Sequence, residues 1–204
     1  MMERGRMEAF SDGVFAVAIT LLALDLVVDG PGHGPLSSQL AHHWPAFAAY
    51  GVSFFTIGII WVNHHALFDL MTRVDRPMLY LNLLLLSFVV AIPFVTSTLA
   101  GYLRASGASG TTAGLLYGGV MEAMSVAFTL IFVHALRTGL LTVAPPPGQR
   151  RAAVLRFGLG SVAYLGVMAL SFVSPVATLA SAGVLAGYYV FQRTPDVPGD
   201  EPGI

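Results

Sequence analysis

The chain has 204 residues, of which 55% are hydrophobic and 10% are charged, and its mean hydropathy is +0.74. Because soluble domains carry about 25% charged residues, this composition excludes an ordinary soluble domain and predicts an integral membrane protein surrounded by lipid. The chain contains no cysteine, which excludes disulfides, thiol catalysis and cysteine-ligated metals. The formal net charge of −1 gives no indication of an acidic or basic partner, whereas the absence of a basic run argues against nucleic acid.

Six apolar stretches predict six membrane-spanning helices, because a span needs roughly 20 apolar residues. Gly- and Pro-rich sequence predicts a loop at 29–43, prolines at 145–147 exclude a helix there, and Ser174 and Pro175 predict a tight turn before a short sixth span. The predicted fold is all-α, with one six-span domain at 1–193 and a disordered cytoplasmic tail at 194–204. The predicted spans are residues 7–28, 44–67, 78–99, 112–136, 152–172 and 176–191.

The positions of arginine predict the orientation, since cytoplasmic loops of membrane proteins carry an excess of Lys and Arg. With six spans, nine of the ten arginines fall on one side of the membrane, and Arg104 alone falls on the other. Both termini are therefore predicted to be cytoplasmic. The nine are Arg4, Arg6, Arg73, Arg76, Arg137, Arg150, Arg151, Arg156 and Arg193.

Polar side chains on the first three predicted spans reach a similar depth near the cytoplasmic side. Asp12 lies about 8 Å along the first span, the WVNHH stretch ends the second, and Asn82 begins the third. Lipid supplies no hydrogen-bond partner, so such residues are expected to form a layer in which each buried polar group pairs with another. Asp12 and Arg6 are poorly placed to pair on one helix, so Asp12 is expected to bond to another helix or another subunit. The layer comprises Arg6, Ser11, Asp12, Trp61, Asn63, His64, His65 and Asn82.

Another face of the first helix carries a mostly apolar stripe. Leu21 lies nine positions after Asp12, about 180° around the helical wheel, so the stripe turns away from the polar layer. From this spacing alone, a lipid-facing or helix-packing surface is the more typical explanation. The stripe consists of Gly13, Val17, Thr20, Leu21 and Leu24.

The segment Arg6-x-x-x-Phe10-Ser11-Asp12 resembles the RxxxFSD signature of the transmembrane protein 175 family of potassium channels. The continuation GVFAVAITLLAL, the WVNHH stretch and the Pro93-Phe94 pair resemble the prokaryotic branch, whose members carry six spans per chain. The resemblance is detailed over about the first half of the chain and rests on length and span count beyond it.

The resemblance implies a homotetramer around a central pore lined by the first helix of each subunit, in a bacterial plasma membrane. It implies permeant K⁺ and other monovalent cations, no bound cofactor and no TVGYG filter, and the sequence contains no TVGYG segment. It further implies that the signature residues, Phe10 included, form a structural network around the pore helix. Hydrophobic rings gate by dewetting, and a ring of Thr hydroxyls can replace part of an ion's hydration shell. The implied constriction residues are Val17, Leu21 and Leu24, with Thr20 beside them.

Several titratable residues outside the stripe leave two interpretations open. Asp25 and Asp29 are candidates for cation attraction at the outer mouth, or they are solvated loop acids. Glu122 is a mid-span acid, which is a functional candidate by default, although a hydrogen-bonded packing role is preferred. The loop histidines and the HHxxxD stretch at 64–69 do not have the spacing of a typical metal site, so no metal is expected.

A potassium-permeable channel is the function that these features favour. The alternative is a secondary transporter, proton-coupled through Asp12 or Glu122, but such transporters are built from repeats and we find no internal symmetry in the sequence. An enzyme is not expected, because the chain contains neither a GxSxG nor an HExxH motif.

Overall fold

The structure, a computed structural model, describes residues 4–143 and 145–191. These residues form seven α-helices and two short 3-10 helices, Leu22–Asp25 and Pro147–Gln149, and the all-α prediction is confirmed. The predicted tail at 194–204 lies outside the described residues. The helices are α1 (Arg4–Leu21), α2 (Leu36–His42), α3 (Trp44–Asp69), α4 (Arg76–Gly101), α5 (Ala108–Thr138), α6 (Arg150–Leu170) and α7 (Pro175–Phe191).

Among the described residues, five helical segments are long and apolar enough to cross a membrane, so the chain is an integral membrane protein. The sixth predicted span corresponds to α7, which has 17 residues and follows a tight turn that ends at Pro175. At 1.5 Å per residue α7 is roughly 25 Å long, slightly less than the roughly 30 Å hydrocarbon core. The five are Arg4–Asp25, Trp44–Asp69, Arg76–Gly101, Ala108–Thr138 and Pro147–Leu170.

The first span begins and ends three residues earlier than predicted, at Arg4 and Asp25. The α-helix ends at Leu21, continues as one 3-10 turn to Asp25, and leaves helical geometry at Leu26, where φ is −82° and ψ is 74°. The prediction that the span extends to residue 28 is therefore wrong. Val27 and Val28 are β-branched and precede a Gly- and Pro-rich segment, so they have little tendency to continue a helix.

The segment 29–43, predicted as a loop, contains helix α2. Gln39 is buried, and its amide nitrogen donates to the carbonyls of Gly30 and Gly34 at 2.9 and 3.0 Å. The Gly30 N–H donates back to the Gln39 side-chain oxygen at 3.0 Å. Both glycines have a positive φ, near +90°, which other residues rarely adopt. Amino-acid composition does not predict α2, because the helix is joined to the glycine-rich turn by contacts of a single buried glutamine.

Helix α4 is the central helix, packed against α1, α3 and α5. The Asp75 carboxylate caps its first turn by accepting the Met78 N–H at 2.9 Å. Pro93 lies inside the helix and is buried. One face of α4 is therefore covered by three neighbours, whereas Tyr80, Leu84 and other residues on the opposite face stay exposed.

Helices α5, α6 and α7 pack through glycine. On α5, Gly110, Gly114 and Gly118 repeat every fourth residue. A Cβ on Gly114 would lie 2.7 Å from the Ser171 hydroxyl, and one on Gly118 would lie 2.6 Å from the Met168 side chain. Small residues at this spacing let membrane helices approach closely.

The two ends of the helix bundle differ in charge and in how they are joined. The end that carries Arg4, Arg73, Arg76 and Arg137, here called the arginine-rich end, includes a short antiparallel pairing of 70–72 with 140–142. At the opposite end, Arg104 donates to the His42 carbonyl at 2.8 Å and so ties the end of α4 to α2.

Candidate conduction surface and polar network on the first helix

Helix α1 buries one face in the protomer and leaves the predicted stripe uncovered. The exposed fractions of Val17, Leu21 and Leu24 are 55%, 38% and 71%, and Thr20 is also exposed. The buried face consists of Met7, Ser11, Phe15 and Ala18, which pack towards α3 and α4. The stripe is thus free to face lipid, a pore or another subunit.

The Thr20 hydroxyl is held by its own helix. Its oxygen lies 3.1 Å from the Ala16 carbonyl and 2.9 Å from the Val17 carbonyl, so its proton is donated to the backbone. Because a hydroxyl oxygen carries two acceptor lone pairs, Thr20 can still offer oxygen to a cation on the exposed side.

Leu24 belongs to the 3-10 turn and not to the α-helix on which the stripe was placed. In a 3-10 helix the side chains of residues i and i+3 eclipse each other. Leu24 therefore stays on the same side as Leu21 despite the change of helix type.

A chain of hydrogen bonds connects α1, α3 and α4 through buried side chains. His64 Nε2 donates to Asn82 Oδ1 at 2.8 Å, and Asn82 Nδ2 donates to Ser11 Oγ at 2.9 Å. Ser11 in turn donates to the Met7 carbonyl at 2.9 Å. His64, Asn82 and Ser11 are at most 2% exposed, so each polar group is paired where water cannot reach it. This chain fixes which face of α1 points inwards.

Asp12 makes a separate contact at the surface of the protomer. Its carboxylate accepts the Trp61 indole N–H at 2.8 Å. The Trp61 ring stacks on His65 at 6.3 Å between centroids, and His65 Nε2 lies 3.5 Å from Asp69 Oδ2. Asp12 thus bonds to α3. The polar residues form two branches instead of one layer: one joins Ser11, Asn82 and His64, and the other joins Asp12, Trp61 and His65.

Three residues placed in the predicted network take no part in either branch of contacts among the described residues. Arg6, Phe10 and Asn63 are exposed, and neither Arg6 nor Asn63 forms a hydrogen bond or ion pair with another described residue. Within the described residues of one chain, the predicted layer therefore does not pair all of these groups, and partners from another subunit stay a prediction. These residues share a depth in the membrane, but depth does not specify the direction in which a side chain points.

Arg4, which the sequence reasoning used only for orientation, is the arginine that joins α1 to the rest of the protomer. Its guanidinium donates to the carbonyls of Phe68, Asp69 and Met71 at 3.1–3.4 Å and to the Asp69 carboxylate at 3.0 Å. Its Nε lies 3.3 Å from Glu8 Oε1. The i, i+4 spacing of Arg4 and Glu8 was a signal in the sequence, but the carbonyl contacts were not.

His134 was also missed. Its Nε2 donates to both oxygens of Asp75 at 2.9 and 3.0 Å, and this contact ties the end of α5 to the start of α4. Partial burial alone would raise the pKa of Asp75, but the Met78 amide and His134 outweigh it and lower the pKa below the ordinary range. The His134–Asp75 pair thus belongs to the arginine-rich end and not to the stripe.

At the opposite end, the two candidate mouth acids have different surroundings. Asp29 lies 3.2 Å from His43 Nε2, and Asp25 lines a cavity of about 260 Å³ together with Arg104. Asp25 follows directly on the stripe, whereas Asp29 is tied to the segment before α3.

Glu122 sits between α5 and α6. Its Oε2 is buried without a hydrogen-bond partner among the described residues, and the nearby Ser161 hydroxyl donates instead to the Ser125 hydroxyl at 3.2 Å. Within 4–143 and 145–191, no group of three or more His, Asp or Glu side chains is placed to hold a metal ion. His64 points inwards to Asn82, so HHxxxD does not converge.

Residues 6–93, which contain the stripe and both branches of the network, match the family described as endosomal/lysosomal potassium channel TMEM175. The chain is 50% identical over 199 residues to a potassium channel of Streptomyces collinus, covering 96% of this chain and 95% of that protein. It is 39% identical over 198 residues to a potassium channel of Chamaesiphon minutus, covering 93% and 95%.

Similarity extends to three dimensions. The crystal structure of a lysosomal potassium-selective channel TMEM175 homolog from Chamaesiphon minutus matches this fold with a TM-score of 0.79 at 37% identity, covering 92% of this chain and 96% of that one. Identity and coverage of this size extend the match well beyond the signature, through the glycine-packed helices. The chain belongs to the TMEM175 family.

Proposed function

We propose that the chain is the subunit of a potassium-permeable channel, a homotetramer whose central pore is lined by α1 of each subunit. The observation that carries the proposal is the uncovered stripe on α1, because α1 is otherwise packed into the protomer by polar contacts. Two relatives similar over nearly the whole chain are named potassium channels, which supports K⁺ as the permeant ion. The protein conducts ions and is not an enzyme.

In this assembly Val17, Leu21 and Leu24 form successive hydrophobic rings, with the Thr20 hydroxyl oxygens beside them. Such rings impede ions because a narrow apolar passage favours dewetting. Selectivity among monovalent cations is then set by diameter and by the free energy of partial dehydration. The sequence carries no TVGYG segment that would supply a cage of carbonyls.

The polar branches hold the rings in place. The chain from His64 through Asn82 to Ser11 fixes the rotation of α1, and the Asp12–Trp61 bond fixes the neighbouring edge. Arg6, Phe10 and Asn63 remain exposed, and we assign them to contacts between subunits. This arrangement completes the signature network across the tetramer.

In the proposed topology of six spans, both termini lie in the cytoplasm of a bacterial cell and the arginine-rich end faces inwards, in keeping with the excess of arginine in cytoplasmic loops. The stripe then leads from the cytoplasmic side towards Asp25 at the outer mouth. Asp25 and Asp29 raise the local concentration of cations there by electrostatic attraction.

A proton-coupled transporter is the second candidate, and the buried, unpartnered oxygen of Glu122 is the observation that favours it. Asp12 is a weaker candidate for proton coupling because Trp61 already donates to it. A transporter predicts saturable, proton-dependent uptake without discrete single-channel openings, whereas a channel predicts such openings.

The test is K⁺ and Na⁺ flux in liposomes with the Leu21→Asn and Leu24→Asn variants at matched protein density. Polar rings should wet the constriction, so we expect faster flux and weaker preference for K⁺ over Na⁺. Leu159→Asn makes the same change at an exposed position on α6 and should behave like the parent. If both stripe variants retain the flux and ion preference of the parent, the stripe does not line the ion pathway.

A further inference from the structure

The first turns of α4 carry an open groove at the arginine-rich end. It has a volume of about 530 Å³ and is lined by Arg76, Pro77, Tyr80, Leu81 and Leu84. Tyr80 and Leu84 are among the exposed hydrophobic residues of the protomer. Because Arg76 is the first residue of a membrane-spanning helix, the groove runs from the membrane boundary into the depth of one leaflet.

The charge at the mouth of this groove is not neutralised by the protomer. Arg76 Cζ lies 5.9 Å from the centre of the Tyr80 ring, and Arg76 Nη2 lies 3.5 Å from the Tyr80 hydroxyl. Neither Arg76 nor the exposed Arg73 forms an ion pair with a described carboxylate. The neighbouring Asp75 carboxylate is already bound by His134 and the Met78 N–H.

We propose that this groove binds one anionic phospholipid from the leaflet at the arginine-rich end. The phosphate binds the Arg76 guanidinium, whose planar donors match phosphate oxygens, and Arg73 adds a second positive charge. An acyl chain lies along Tyr80, Leu81 and Leu84. Basic residues beside apolar membrane grooves are a recurrent site for such headgroups.

Charge complementarity favours a lipid over a second copy of the chain as the occupant. A second copy would have to bring a free carboxylate to Arg76. The described acids at or near this end are Glu8, Asp12, Asp69 and Asp75. Glu8 and Asp69 pair with Arg4, and Asp75 pairs with His134. Asp12 accepts the Trp61 indole N–H. Phosphate is the anion that the membrane itself supplies at this depth.

The experiment measures retained lipid by native mass spectrometry on the purified assembly. The protein is equilibrated in detergent with equimolar palmitoyl-oleoyl phosphatidylglycerol and palmitoyl-oleoyl phosphatidylcholine, which share their acyl chains. We expect the parent to retain phosphatidylglycerol preferentially. Arg76→Gln should lower the retained phosphatidylglycerol about fivefold, and Arg137→Gln, which removes an exposed arginine from the end of α5, should leave it unchanged.

A second variant tests the apolar part of the site with Arg76 intact. Leu84→Trp fills the groove and should lower retention of both lipids at this site while the subunit count stays the same. The proposal is overturned if Arg76→Gln retains the parent ratio of the two lipids. It is also overturned if Arg76→Gln or Leu84→Trp splits the assembly into smaller species, because the groove would then be a contact between copies.

Discussion

Helices α1, α3 and α4 meet through hydrogen-bonded side chains, whereas α5 meets α6 and α7 through glycines and small residues. In the first group, Ser11, His64 and Asn82 form a directional chain with distances of 2.8–2.9 Å. In the second, Gly114 and Gly118 leave no room for a Cβ. Residues 6–93, which match the TMEM175 family, contain the hydrogen-bonded residues of α1, α3 and α4 and end within α4.

The difference shows what each group of helices can specify. A hydrogen bond between side chains has a direction, so it fixes the rotation of α1 and therefore which residues are left uncovered. A glycine contact sets how closely two helices approach, but it lacks the directionality of a hydrogen bond. We infer that the hydrogen-bonded helices α1, α3 and α4 orient the exposed stripe on α1. The glycine-packed helices α5, α6 and α7 support them. The predictions below change one group at a time.

The largest effect is expected where the glycine packing is broken. A Cβ on Gly118 would lie 2.6 Å from the Met168 side chain, whereas one on the adjacent Gly119 would meet nothing within 4 Å. Gly118→Leu should therefore destabilise the fold by about 3 kcal/mol, the upper end of typical overpacking. Thermal unfolding in detergent checks this, with Gly119→Leu as the control. Equal unfolding temperatures for the two variants would mean that close approach on this face is not required.

The second-largest effect is expected in the hydrogen-bonded helices α1, α3 and α4. Asn82→Ala leaves the buried His64 and Ser11 side chains without partners and should destabilise the fold by about 2 kcal/mol. Asn63→Ala removes the same side chain at an exposed position with no partner in the protomer, so it should change unfolding little. The same thermal measurement applies. If Asn63→Ala proves as destabilising as Asn82→Ala, the buried chain is not what holds the three helices.

The two arginines of the first helix sharpen the comparison further. Arg4→Gln weakens contacts with three carbonyls and the Asp69 carboxylate, so it should destabilise the protomer by about 1 kcal/mol. Arg6→Gln should spare protomer unfolding and instead lower the fraction of the proposed tetramer. Unfolding and size-exclusion profiles of both variants separate the two effects. An Arg6→Gln tetramer as stable as the parent would remove Arg6 from the subunit contacts.

The smallest effect concerns the contact between the two groups of helices. The pKa of Asp75 is lowered, so its ionised form stabilises the fold above the ordinary Asp value of about 3.9, and this stabilisation is lost as the pH falls through the lower folded value. Asp75→Asn should therefore lower the unfolding temperature at neutral pH, and its difference from the parent should shrink below about pH 4. A difference that does not depend on pH would contradict this role.

The sequence predicted the bundle because span length and hydropathy are set by local composition. It placed α3 within two residues of its observed ends, Trp44 and Asp69. It missed the end of α1 and the helix α2, since a 3-10 turn and a buried Gln39 depend on contacts that composition does not contain.

For the candidate site, helix periodicity predicted a mostly apolar stripe turned away from Asp12, but neither its exposure nor which polar residues would meet. Ser11, His64 and Asn82 share a depth with Arg6 and Asn63, yet they alone point into the protomer. Arg4 reaches backbone carbonyls, which have no signature in the sequence. The contacts proposed between subunits likewise depend on a surface that the single chain leaves exposed.

The most direct test of the conduction surface uses the absence of native cysteine. In Leu21→Cys, one introduced thiol per subunit is the sole target for a charged, water-soluble methanethiosulfonate reagent. If α1 lines the pore, K⁺ flux through this variant falls to near background on modification, whereas Leu159→Cys on α6 retains its flux. Flux through modified Leu21→Cys that equals the untreated level, with labelling verified by mass, would contradict the account.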